Sequence, residues 1–181
     1  DSLISSTDKT LSEYGEKDHV RIERIGDTVH VTVCNPDARN AQTPATWRRL
    51  ASVPSLLTDE IRAVVLRGEG VSFSAGLDRR MLTPEGVPGE ESLLTLATYD
   101  DEQIDAFITQ AQAAFAWWHR VPQVTIALVQ GHAIGAGFPF PEIDHFYQSA
   151  NDSGVVVFFF AFETEEFSQF FQRWLHGTIL S

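Results

Sequence analysis

Two apolar runs that end in small residues are the places where this sequence could do chemistry. Val124 to Phe138 reads VTIALVQGHAIGAGF, a β-branched run of strand length followed by Gly131, Gly135 and Gly137. Earlier, Ala63 to Leu66 (AVVL) leads through Arg67 and Gly68 to Gly70 and then to SFSAGLD, Ser72 to Asp78. Such runs predict buried strands, and the glycines predict turns where a side chain would obstruct the backbone. A strand end of this kind leaves backbone N–H groups free. Two of them aimed at one carbonyl oxygen stabilise the negative charge it gains in acyl chemistry, by about 3 kcal/mol per donor when water is excluded. Side chains are not needed for that task, which suits stretches dominated by glycine and alanine. The same glycines also suit tight turns and close strand packing, and spacing alone leaves both readings open.

Other chemistries fit poorly. Gly131-x-x-x-Gly135-x-Gly137 departs from G-x-G-x-x-G, and no acidic residue ends a following strand, which argues against a dinucleotide site. Ser72-Phe73-Ser74-Ala75-Gly76 lacks the first glycine of a nucleophile elbow. His119, His132, His145 and His176 have no metal-ligand spacing to cysteine or carboxylate partners, so no metal is expected. His132, inside the second glycine turn, is expected to be structural, with a ligand contact as the alternative.

The elements that must position these turns follow from the patterning. Residues 1–18 are polar, with no sustained period, and predict a flexible leader. VRIERI and TVHVTV alternate around Gly26-Asp27, which predicts a hairpin within His19 to Val33, with His30 on its solvated face. Thr43-Pro44 is an N-cap and first-turn pair, opening a helix through Trp47 and Leu50 that Pro54 keeps short. Asp59 to Leu66 predicts the first buried strand, and Met81 to Glu91 an exposed loop. Ile104, Phe107, Ile108, Ala111, Phe115 and Trp118 share one face of a helix expected from Asp101 to Arg120. Past Phe138, VVVFFFAF reads as a strand and Thr164 to Trp174 as a helix whose aromatics pack in a core. Strands alternating with helices predict an α/β layered domain with an antiparallel element at its start.

Bulk properties narrow the function classes. A chain of 181 residues with 43% hydrophobic and 21% charged residues is ordinary for a globular domain. The formal net charge of −12 argues against a nucleic-acid surface and disfavours anionic membranes, although a local basic pair can still hold a phosphate. One cysteine, Cys34, allows no internal disulfide, and a reducing cytoplasm is the expected location. The opening DSLISSTDKT has no basic region or apolar core, so no secretory signal is expected. The longest apolar run, Val155 to Phe162, is far below the ~20 residues that span a bilayer.

Three stretches together carry a resemblance. VRIERIGDTVHVTVCNPDARNAQTPATW, the strand running into FSAGLD, and VQGHAIGAGF stand in the order and spacing of the crotonase (enoyl-CoA hydratase/isomerase) superfamily, over roughly residues 19–138. The resemblance implies an α/β fold of ββα units in a spiral, left incomplete by the short chain. It also implies an acyl-CoA thioester ligand, coenzyme A as part of the substrate and no separate cofactor, and a homo-trimer or hexamer. By position, the family's two oxyanion donors fall on the backbone N–H groups of Leu77 and Ala136, the latter between Gly135 and Gly137. Arg39 and Ala41 become candidate CoA contacts. The backbone of Ser74 and Ala75 would meet the adenine and pantetheine portions, with Gly76 and Asp78 flanking the first donor. Arg79 and Arg80 are candidates for the CoA phosphates, or a solvated basic pair.

The resemblance ends at the second turn. Relatives carry a glutamate just after it, and this chain has Pro139, which has no acid–base function. Glu142, in Pro141-Glu142-Ile143, resembles the context of the family's second glutamate but arrives a helix and a strand early. Residues 139–181 are therefore read as an atypical tail packed on the same domain. The expected activity is enolate stabilisation in an enoyl-CoA hydratase/isomerase-type enzyme. A non-catalytic acyl-CoA-binding or assembly protein is the alternative.

Overall fold

The computed structural model describes residues 14–118, 120–133, 149–150 and 156–158. Its described strands are β1 (Gly15–Lys17), β2 (Val20–Ile25), β3 (Thr28–Val33), β4 (Ala63–Gly68), β5 (Val124–Val129), β6 (Ser149–Ala150) and β7 (Val156–Phe158), and they form one sheet in the order β1-β2-β3-β4-β5-β7-β6. β2 (Val20–Ile25) and β3 (Thr28–Val33) are the expected hairpin, antiparallel, with Val20 opposite Val33 and Ile25 opposite Thr28. Gly26 turns it at φ 64°. β3, β4 (Ala63–Gly68) and β5 (Val124–Val129) run parallel, with Thr28, Ala63 and Val124 level at their starts. β6 (Ser149–Ala150) and β7 (Val156–Phe158) add antiparallel pairs beyond β5.

Alternation decides the faces. Val20, Ile22, Val29, Val31 and Val64 pack under the helices, whereas Arg21, Thr32 and Arg67 lie on the opposite face. There Arg21 Nη2 meets Glu69 Oε2 at 2.7 Å and Arg67 Nε donates to Thr32 Oγ1 at 3.1 Å. α1 (Pro44–Ala51) starts with a capping box: the Thr43 hydroxyl accepts from Thr46 N, and the Thr46 hydroxyl accepts from Thr43 N. Pro44 occupies the first turn, where its missing N–H has no helical partner to lose. α2 (Asp101–Ala113) is capped in the same way by Asp100 and Gln103. The two helices meet through Trp47 and Phe107, edge to face at 6.3 Å.

Four sequence expectations shift. β1 (Gly15–Lys17), paired with β2, lies inside the stretch read as leader, since a short polar edge strand has no apolar signal. β4 starts at Ala63 rather than Asp59, because Asp59 and Glu60 form an exposed turn. α2 stops at Ala113 rather than near Arg120. The neighbouring Trp117 and Trp118 are both buried and stacked at 3.8 Å, and adjacent residues of a continuing helix would face different directions. Trp117 Nε1 donates to Leu50 O at 3.1 Å, which ties this segment to α1. Met81, expected in an exposed loop, is fully buried on a 3₁₀ turn over Arg79–Leu82 that starts at Asp78. The helix read at Thr164 to Trp174 lies outside the described residues.

Candidate functional site

The carboxyl ends of the three parallel strands feed three loops, 34–43, 69–78 and 130–133, and these loops hold one another. That edge is where open α/β sheets place their ligand sites. Two isolated parallel bridges link the loops, Gln42 with Leu77 and Ser74 with Ala133. The first glycine turn and the opening of the second are therefore neighbours. Phe73 N and Ser74 N donate to His132 O at 3.0 and 3.1 Å, so the carbonyl of His132 joins the turns while its side chain is exposed. Gly131, at φ 58°, lies so close to the first loop that a Cβ would sit 2.0 Å from Val71 O. Gly68 closes β4 under the same constraint, with Phe73 O 2.3 Å from its would-be Cβ.

The first loop is clamped by buried polar side chains. Asn40, fully buried at φ 56°, accepts from Asn35 N at 2.9 Å. Its amide donates to Glu69 O at 2.8 Å and Ser72 O at 2.7 Å. Arg39, also left-handed at φ 52°, offers its carbonyl to Ala75 N at 2.8 Å. Gln42 N donates to Gly76 O at 2.7 Å, and Asp78 N donates to Gln42 O at 2.8 Å. These two bonds use the residues on either side of Leu77, so Leu77's own N–H points away from Gln42. Among the described residues that N–H has no acceptor.

Leu77 also forms part of the wall of a cleft of about 500 Å³, together with Ala41, Ala75, Asp78, Arg79 and Arg80. Asn35, Asp37 and Ala38 complete it. Asp78 is buried and takes Arg80 Nε and Nη2, the latter at 2.6 Å, as well as Arg80 N at 3.0 Å. The Arg80 guanidinium holds the Asp78 carboxyl below its ordinary range, against the opposing effect of burial. Arg79 is exposed on the cleft wall and has no ion-pair partner among the described residues.

The residues named from the sequence therefore divide. Ala41, Ala75, Leu77 and Asp78 come together at the cleft. Ser74 and Gly76 are buried behind it, and Arg39 is exposed beside it, its carbonyl taken by Ala75. Gly135, Ala136, Pro139 and Glu142 lie outside the described residues. Asn40 and Gln42, which build the clamp, had no signal beyond the tolerance of asparagine for left-handed turns. Among the described residues no cluster of histidine, cysteine, aspartate or glutamate is arranged to hold a metal, and no helix is long and apolar enough to cross a membrane.

A mixed sheet with helices on one face and site-building loops at its parallel strand ends defines an α/β fold of the crotonase type. The model of the enoyl-CoA hydratase/isomerase family matches residues 24–143, and the chain belongs to that family. Among curated relatives, mouse mitochondrial Delta(3,5)-Delta(2,4)-dienoyl-CoA isomerase is 30% identical over 112 residues, which are 60% of this chain and 33% of that one. A solved Thermobifida fusca YX protein assigned as an enoyl-CoA hydratase superposes with a TM-score of 0.59 at 37% identity, over 66% of this chain and 45% of that one. The same T. fusca protein in complex with acetoacetyl-CoA gives a TM-score of 0.58 at 35% identity, over 71% and 48%. The chain spans about a third of the length of the curated relatives it matches and under half of these solved chains.

Proposed function

We propose that this chain belongs to an acyl-CoA thioester enzyme of the hydratase/isomerase type, in which Leu77 N–H is one of two donors to the thioester oxygen. The observation that carries the reading is the Leu77 amide. It has no acceptor among the described residues, it stands on a cleft wall, and both flanking peptides are fixed by Gln42. An oxygen placed 2.7–3.1 Å from such a donor gains most when it bears the charge of an enolate, because the dipole is aligned before the reaction starts. Ala136 N–H is proposed as the second donor. In this reading the cleft takes the thioester arm beside Ala41 and Ala75, and Arg79 is the cation available to a phosphate.

Of Leu77, Ala136 and Glu142, the residues proposed as catalytic, Glu142 alone carries a titratable side chain, and Pro139 carries no proton. That substitution favours a second reading, an acyl-CoA-binding or assembly protein without turnover. The trimeric or hexameric assembly and the cytoplasmic location expected from the sequence belong to this proposal too.

Crotonyl-CoA tests both readings. Loss of the enoyl absorbance supports the enzyme, and a thermal shift without turnover supports the binding protein. No thermal shift with any acyl-CoA thioester would refute both. Within the enzyme reading, Ala136→Pro removes the second donor and is expected to abolish turnover while the melting temperature stays near that of the parent. Unchanged turnover would remove Ala136 from the site.

A further inference from the structure

We propose that Ser74 is a positioning residue for the Leu77 donor, an inference that rests on the acyl-thioester reading above. Ser74 is fully buried and is not part of the cleft wall, so it acts through its neighbours. A hydroxyl has one proton to give and two lone pairs to offer, and here all three are used. Ser74 Oγ donates to Asn40 O at 2.8 Å. It accepts from Gln42 Nε2 at 3.0 Å and from Gly76 N at 3.1 Å.

These contacts converge on one peptide plane. The Leu77 N–H shares a planar trans peptide with the Gly76 carbonyl and points opposite to it. The Gly76 carbonyl is held by Gln42 N at 2.7 Å, and the preceding Gly76 N–H by Ser74 Oγ. Gly76 itself sits at φ 81°, a conformation that a glycine also leaves easily. Gln42 is fixed in turn at its far end, where its Oε1 accepts from Trp47 Nε1 at 3.0 Å. The hydroxyl thus closes a ring through Gln42, Gly76 and back to Ser74, anchored on α1. Without it the ring opens at Gly76 N, Gln42 Nε2 and Asn40 O together. The donor survives and its direction loosens.

The test reads carbonyl polarisation rather than turnover. The absorption band of bound crotonyl-CoA moves to longer wavelength when its carbonyl is polarised, and the same titration yields an affinity. Wild type, Ser74→Ala and Ser74→Thr are titrated as full chains, and the melting temperature of each is recorded. Ser74→Ala is expected to bind within about threefold of wild type, because ground-state contacts are nearly unchanged, yet to lose at least about half of the band shift. Ser74→Thr keeps a hydroxyl and is expected to keep the shift. A folded Ser74→Ala with a full band shift would overturn the inference even if its melting temperature fell, since that is what a purely structural role gives. If Ser74→Ala does not fold, Ser74→Cys decides: its thiol accepts more weakly, so a reduced shift supports the inference and a full shift overturns it. A wild-type chain that binds crotonyl-CoA with no band shift, or that binds no acyl-CoA thioester at all, overturns the acyl-thioester reading, and the inference falls with it.

Discussion

Asn40→Ala probes the clamp at its most constrained point. The side chain makes three hydrogen bonds, from Asn35 N and to Glu69 O and Ser72 O, at 2.7–2.9 Å and with Asn40 fully buried. Each is worth about 1 kcal/mol net, so their loss costs about 3 kcal/mol. Asn40 also sits at φ 56°, where alanine is strained by about 1 kcal/mol more than asparagine. The total is about 4 kcal/mol, a large part of the 5–15 kcal/mol typical of a domain. Urea unfolding followed by tryptophan fluorescence measures it, with Asn40→Gly as the control that removes the bonds without adding alanine's strain. Asn40→Gly is expected to be about 1 kcal/mol more stable than Asn40→Ala. An Asn40→Ala chain within about 1 kcal/mol of wild type would refute the clamp, and equal alanine and glycine variants would refute the strain assignment.

Three further outcomes are expected. Gly68→Ala puts a Cβ 2.3 Å from Phe73 O and 2.7 Å from Ser72 O, and should destabilise by about 1–3 kcal/mol in the same urea assay, whereas no change would mean the loop has room to shift. Asp78 has a lowered pKa from its bond to Arg80, so its ion pair stabilises the fold above the ordinary aspartate value of 3.8 and is lost as pH falls through the lower folded value. Melting temperature against pH should therefore fall less steeply below 3.8 in Asp78→Asn than in wild type, and parallel acid limbs would contradict the assignment. The Cys34 thiol is pushed up to about 11, first by burial and then by Glu16, so at pH 8 a thiol reagent should label the native chain at least about tenfold more slowly than the urea-unfolded one.

Residues with local chemistry were legible in the sequence. Gly26-Asp27 between alternating runs defined the hairpin, and Thr43-Pro44 opened α1 where the capping box stands. The first glycine turn and the opening of the second lie together for a physical reason: both follow parallel strands, and the His132 carbonyl joins them. What stayed hidden depends on distance along the chain. Ser74 lies 32 residues from Gln42, and both look like loop polars until the fold buries them together. Glu90 is similar: an apparent solvent carboxylate in a Gly- and Pro-rich loop, it accepts from Ala45 N in the first turn of α1 at 2.7 Å. Met81 was hidden because one apolar residue in such a loop has no period to report its burial.

The central claim is that Leu77 N–H polarises a thioester carbonyl. The direct measurement is the carbon-13 NMR shift of crotonyl-CoA labelled at its thioester carbonyl, free and bound to the full chain. A carbonyl resonance moved downfield on binding is the predicted result. A bound ligand whose carbonyl resonates where it does in free solution would contradict the account, whatever its affinity.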